Sequence, residues 1–218
     1  MQRTFAEVGF KDNVLYVPNF KNISYLPSKV ENNSLVTRFV FLSRIIPMKG
    51  CDIILDAVNK INTSYQDKFI VDFYGPIEDN YDKEYMRKVD SLPNVSYKGF
   101  IDLRNEKNYD VLASYDIMLF PTYWHGEGFP GIIIDAFIAG LPVIASDWSL
   151  NAEIIEDGKT GIIIDVKNVD ALAEAMTRLI EDKNLIKGMS KQCSARAMYF
   201  EMNSVLSKEL FEKIGIEI

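Results

Sequence analysis

Four charged side chains in this sequence stand at spacings that packing alone does not require. In "YWHGEGFPGIIIDAF", Tyr123 to Phe137, two carboxylates lie eight positions apart: Glu127 in a glycine-rich turn and Asp135 inside an apolar run. In "FLSRIIPMKGCDIIL", Arg44 and Lys49 stand between a strand-like run and a helix-like one. A guanidinium can bind two phosphate oxygens at once, and the unpaired amides of a helix N-terminus favour an anion by about 0.3 to 1 kcal/mol. Arg44 and Lys49 therefore read as an anion site, set against the plainer reading of two solvated surface cations. For the two acids, one reading is the acid and nucleophile of a glycoside hydrolase. Another is a pair of acceptors for sugar or ribose hydroxyls, because an ionised carboxylate accepts only and a vicinal diol can donate twice. The plainest is a turn cap at Glu127 and an ion pair at Asp135.

The elements that would carry these residues are strands alternating with amphipathic helices, the pattern of a parallel sheet covered on both faces. Strand-like runs are "VLYV" (14–17), "TRFVFLS" (37–43), "FIVDFYG" (69–75), "VSYKGF" (95–100), "IMLFP" (117–121), "PVIAS" (142–146) and "GIIID" (161–165). "CDIILDAVNKIN" and "VDALAEAMTRLIED" between them carry apolar residues at helical spacing. Pro130 suits the first turn of a helix over "GIIIDAFIAG" that stops at Gly140, which puts Glu127 on the loop and Asp135 in the second turn. Ile133, Ile134 and Phe137 then pack on the sheet while Asp135 faces the crevice with Glu127. After residue 166 the chain reads as helical, ending in the amphipathic "FEMNSVLSKELFEKI", and "NISYLPSKVENNS" (22–34) is a polar connector. The expected fold is a Rossmann-like three-layer α/β/α unit with a mainly parallel sheet and a helical tail. One domain over 1–218 is expected from the length.

In such sheets the ligand crevice lies outside the carboxyl ends of the strands. Gly99 and Phe100, at one strand end, offer backbone groups to a base edge. Gly126, Gly128 and Gly131 let backbone approach a ligand where a side chain would block it. Cations for a diphosphate and acids for hydroxyls together specify a nucleotide-sugar.

Bulk properties narrow the partners. The chain has 218 residues, 48% hydrophobic, with 24 Lys and Arg against 31 Asp and Glu, a formal net charge of −7. That balance, without a basic block, argues against nucleic acid and against an anionic membrane surface. No apolar run reaches membrane-spanning length and the first residues lack a signal-peptide core, so a cytoplasmic location is expected, with at most peripheral membrane association. Cys51 and Cys193 lack metal or redox spacing and read as buried thiols.

"SRIIPMKG", "HGEGFPGIIIDAFIAGLPVIASD" and "NAEIIEDGKTGIIIDVKNVDALAEAMTRLI", in this order and spacing, resemble the C-terminal, donor-binding domain of GT-B glycosyltransferases of the family 4 type. The resemblance runs from about "VLYVPN" to the end. It implies retaining transfer of a sugar from a nucleotide-diphosphate donor to an acceptor glycan or glycolipid, in polysaccharide or cell-surface glycan synthesis, without cofactor or metal. It gives the donor diphosphate to Arg44 and Lys49, the donor sugar to Glu127, and the ribose to Asp135, one methylene shorter than the family's second glutamate. Backbone at Gly128, Phe129 and Gly131 is implied to reach the sugar, and His125 is a candidate for the pocket wall. The GT-B architecture further implies an acceptor-binding N-terminal domain, missing here or supplied separately. Alternatives are a stand-alone nucleotide-sugar-binding or regulatory module and one half of a nucleotide-sugar epimerase-like protein.

Overall fold

The structure is a computed structural model and describes residues 15–28 and 34–216. Six strands, β1 (Thr37–Leu42), β2 (Phe69–Tyr74), β3 (Val95–Tyr97), β4 (Ile117–Phe120), β5 (Val143–Ser146) and β6 (Gly161–Ile164), form a sheet of order β3-β2-β1-β4-β5-β6. All pairings are parallel, so every carboxyl end lies on one edge. The winding reverses between β1 and β4, which opens a crevice outside those two strand ends.

The helices are α1 (Cys51–Tyr65), α2 (Asp82–Asp90), α3 (Tyr109–Ala113), α4 (Gly131–Ile138), α5 (Asn151–Ile154), α6 (Val169–Glu181) and α7 (Lys183–Ala197), then the short α8 (Met202–Val205) and α9 (Lys208–Lys213). Alternate residues of a strand face opposite sides. In β1, Phe39 and Phe41 meet Ile54 and Val58 of α1 and Leu172 and Met176 of α6, while Val40 and Leu42 meet Leu112, Phe137 and Cys193 on the opposite face. Coverage on both faces is why "FVFL" (39–42) is a continuous apolar run instead of an alternating one. α4 is apolar almost all round because it lies between the sheet and α7.

Six of the seven strand-like runs form the sheet. "VLYV" does not: Leu15, Tyr16 and Val17 are exposed and belong to no strand, and Val14 lies outside the described residues. β-branched and aromatic residues favour a strand only where a neighbour offers a ladder and a surface to pack on. The connector is irregular over 22–28, and 29–33 lie outside the described residues. The final amphipathic stretch is divided as well. Glu201 accepts from the amides of Asn203 and Ser204 to start α8, and Ser207 accepts from Leu210 to start α9. Two caps six residues apart set two short helices where one continuous helix was expected. The segment ahead of β1 pairs with this tail: the Lys21 amide donates to Phe200 O at 2.9 Å and the Met202 amide donates to Lys21 O at 2.8 Å. No described helix is long and apolar enough to cross a membrane.

Candidate functional site at the carboxyl edge of the sheet

The loop after β1 packs against the loop after β4. Lys49 ends a 3₁₀ turn, Pro47–Lys49, and Gly50 begins α1 with φ +84°. A Cβ on Gly50 would meet Pro121 O at 2.3 Å, so this close approach and this backbone shape both require glycine. The Tyr123 amide then donates to Met48 O at 2.9 Å, which locks the two loops together.

That joint sets Lys49 on Glu127. The Lys49 Nζ lies 2.5 Å from Glu127 Oε2, with only 6% and 9% of the two side chains exposed, and the Thr122 hydroxyl donates to the same oxygen at 3.0 Å. Trp124 lies between the two cations of the first motif: the Arg44 guanidinium is 4.6 Å and the Lys49 ammonium 4.5 Å from its ring. An aromatic face attracts each cation and orients it without neutralising it. Arg44 is exposed and, among the described residues, has no carboxylate partner. Trp148 Nε1 donates to Trp124 O at 2.8 Å, and the exposed His125 ring sits 5.6 Å from the Trp148 ring. Ser149, held at φ +54°, donates to the carbonyls of Glu127 and Gly128 and so pins the glycine turn.

Asp135 sits apart from this cluster. It is in the second turn of α4, with Pro130 as N-cap and Gly140 at φ +66° beyond the helix end. Its carboxylate is buried. Lys21 Nζ lies 2.9 Å from Oδ1 and 3.0 Å from Oδ2, and the Tyr109 hydroxyl donates to Oδ1. Burial first, then the charge of Asp135 and the hydrogen bond to it, push the Tyr109 phenol well above its ordinary range, so it stays a donor. Gly131 lies against the segment ahead of β1: a Cβ there would stand in ordinary contact with Lys21 Cε at 3.5 Å and tight against Asn19 Nδ2 at 3.3 Å, and that amide donates to Phe129 O.

Between the loops after β1, β2 and β3 lies a cleft of about 660 Å³. Arg44, Lys21, Phe100, Arg104 and Tyr109 line it, with Ile101 and Ile132 as its apolar floor. Arg104 is neutralised by Asp102 through a two-pronged hydrogen bond, which holds the Asp102 carboxyl below the usual range. Of the residues singled out in the sequence, only Arg44 and Phe100 line this cleft. Glu127 and Lys49 meet each other beside it, joined to Arg44 through Trp124, and Asp135 meets its rim through Lys21 and Tyr109. Gly99, at φ +79°, uses its carbonyl to accept from the Gly75 amide at 2.8 Å. Lys21, Tyr109 and Trp124 were not singled out in the sequence, and their partners lie 114, 26 and up to 80 positions away. Among the described residues, no three His, Cys, Asp or Glu side chains converge as metal ligands would. A second cleft of about 710 Å³ lies between α1 and α6, and the Lys60–Asp170 ion pair neutralises charge on its walls.

A doubly wound parallel sheet with helices on both faces, and with cations, carboxylates and a cleft gathered at one edge, is the three-layer α/β/α architecture of a GT-B half. The chain matches the family described as glycosyl transferases group 1 over residues 27–197 and belongs to it. It is 26% identical to a phosphatidyl-myo-inositol mannosyltransferase of Mycolicibacterium smegmatis over 75% of this chain and 41% of that protein. Two solved structures share the fold. TarM of S. aureus, solved with fondaparinux, α-GlcNAc-glycerol and UDP, aligns with TM-score 0.78 at 18% identity over 97% of this chain and 42% of that one. The C-terminal domain of a Francisella tularensis glycosyl transferase group 1 protein aligns with TM-score 0.66 at 21% identity, over 76% and 87%. In the curated relatives compared, the match covers between 10% and 48% of their length.

Proposed function

We propose that this chain binds the donor of a retaining glycosyltransferase, a nucleotide-diphosphate sugar, whose sugar passes to an acceptor glycan or lipid-linked glycan. The observation that carries the proposal is the cation set at the switch point. Arg44 lines the cleft and, among the described residues, has no carboxylate partner, Lys49 is fixed behind it, and Trp124 contacts both. In glycosyl transfer the departing nucleoside diphosphate gains negative charge, and preorganised cations stabilise it without reorganising at the moment of reaction. Arg44 then meets the diphosphate directly and Lys49 supports it, so the reading needs no metal. Glu127, with His125 and the backbone of Gly128, Phe129 and Gly131 around it, takes the donor sugar. Phe100 and Gly99 border the base. That TarM, which shares the fold, was solved with UDP supports a nucleotide as the ligand class. Acceptor binding falls to a second, N-terminal domain of the GT-B pair. The finer assignments of polysaccharide or cell-surface glycan synthesis and a cytoplasmic setting are part of the same reading.

Calorimetry with UDP, GDP and ADP tests it. One of them is expected to bind, and Arg44→Ala with Lys49→Ala to weaken it at least tenfold, since each lost charge-assisted contact removes about 1.5 to 3 kcal/mol. Absence of binding to all three, or unchanged binding by the double variant, overturns the site.

A further inference from the structure

The position eight residues after Glu127 is an aspartate whose two oxygens are already engaged by the chain itself. Tyr109 donates to one, and the Lys21 ammonium lies within 3.0 Å of both. An ammonium has three protons to give. Two are directed at the Asp135 oxygens, and the third is available to the cleft that Lys21 lines, where 34% of its side chain remains exposed. Asp135, by contrast, is only 6% exposed at the side chain and does not line the cleft. The backbone of Lys21 is pinned on both sides by its bonds to the tail, at Phe200 and Met202. The Asp135 carboxylate at one end and the tail at the other thus hold the Lys21 side chain and backbone in place.

We infer that Lys21 is the ribose-contacting residue of the cleft. It donates its remaining proton to a hydroxyl oxygen of the nucleotide's ribose, and Asp135 and Tyr109 are positioning residues that act through it. The inference rests on the nucleotide-sugar reading above. It changes the chemistry of that contact. A carboxylate would accept from the ribose diol, whereas an ammonium donates to it. Lys21 restores the reach that the shortened acid lacks, and it adds a cation to the cleft that Arg44 and Arg104 also line.

The test is calorimetry on the chain with the better-binding of UDP and GDP, alongside its 2′-deoxy and 3′-deoxy forms. The unmodified chain is expected to prefer the ribonucleotide over at least one deoxy form. Lys21→Met weakens the ribonucleotide about tenfold, the loss of one charge-assisted hydrogen bond, and brings its affinity level with the deoxy form. Lys21→Arg restores part of the preference. Asp135→Asn, which keeps the shape and releases the ammonium, lowers the preference without abolishing diphosphate binding. If Lys21→Met binds the ribonucleotide as tightly as before, or more tightly, with the preference intact, Asp135 itself reads the ribose and the inference fails. In that case the sensitivity of binding to Arg44→Ala shows that the donor site stands without it. A chain that binds neither nucleotide overturns both readings. A thermal melt of each variant separates lost binding from lost folding.

Discussion

Two lysine–carboxylate pairs stand at the same edge of this sheet, and they differ in what holds them. Lys49 and Glu127 come from loops after adjacent strands, and both side chains are almost fully enclosed. Lys21 and Asp135 join an irregular segment ahead of β1 to the body of α4, and the lysine stays one-third exposed. The first pair is fixed by the sheet itself: once β1 lies beside β4 and Gly50 lies against Pro121, Lys49 has no other place to go. The second depends on a joint between the segment ahead of the sheet and the tail after it. The difference separates a pair that the sheet's own loops enclose from one whose lysine stays open to the cleft.

Breaking the enclosed pair should have the largest effect on stability. Glu127→Ala leaves the Lys49 ammonium buried without its counter-ion, which costs about 3 to 5 kcal/mol for one-sided loss of such a pair. Urea denaturation should show a lower midpoint with little change in slope. Replacing both partners by Lys49→Met and Glu127→Leu should recover most of the loss, because two desolvated charges then disappear together. A double variant no more stable than Glu127→Ala would mean that the pair, and not the orphaned lysine, carries the energy.

Asp135→Ala should rank second. It deprives the buried Tyr109 hydroxyl of its acceptor, at about 1 to 3 kcal/mol for an unsatisfied buried polar group. Lys21 can turn to water instead. Adding Tyr109→Phe to Asp135→Ala should return stability toward that of the original chain, since no orphaned hydroxyl remains. If Asp135→Ala proves as costly as Glu127→Ala, Lys21 is enclosed as firmly as Lys49 and the contrast collapses.

The sequence marked both residues of the first pair without showing that they meet, and for the second it offered an ion pair at Asp135 without naming the partner, for a physical reason. Arg44, Lys49 and Glu127 sit in turns whose glycines and prolines mark strand ends locally, and a parallel sheet gathers such ends on one edge. Nothing local marks Lys21. It lies among exposed residues in a stretch whose "VLYV" pattern suggested a strand, and its role depends on a partner 114 positions away and on tail backbone from Phe200 to Met202. Tyr109 is equally silent, an aromatic at the start of a five-residue helix whose hydroxyl meets Asp135 only once α3 packs beside α4. The division of the tail at Leu206 was half marked, because Ser207 is a preferred N-cap residue while Glu201, which also caps here, is not. The six sheet strands were readable because burial on both faces leaves uninterrupted apolar runs, whereas "VLYV" has the composition of a strand and no neighbouring ladder.

The smallest effect is expected for Lys21→Met, and it is the most informative of the three. A partly exposed ion pair contributes about 0 to 1 kcal/mol, because water and salt screen it and the long side chain loses freedom in making it. Asp135 keeps the Tyr109 hydroxyl after the change, and loss of the ammonium opens its carboxylate to the cleft that Lys21 lined, so the orphaned charge is not sealed from water as Lys49 would be. The urea midpoint should therefore move little, and raising the salt concentration should narrow the remaining gap to the unmodified chain. A loss of 3 kcal/mol or more would place Lys21 with Lys49, as part of the frame, and any fall in nucleotide affinity would then report damage to the fold. A shift below about 1 kcal/mol, within the range of exposed pairs, leaves the frame intact. In that case a change in ribose preference on the same variant has to come from the ammonium that Lys21 presents to the cleft.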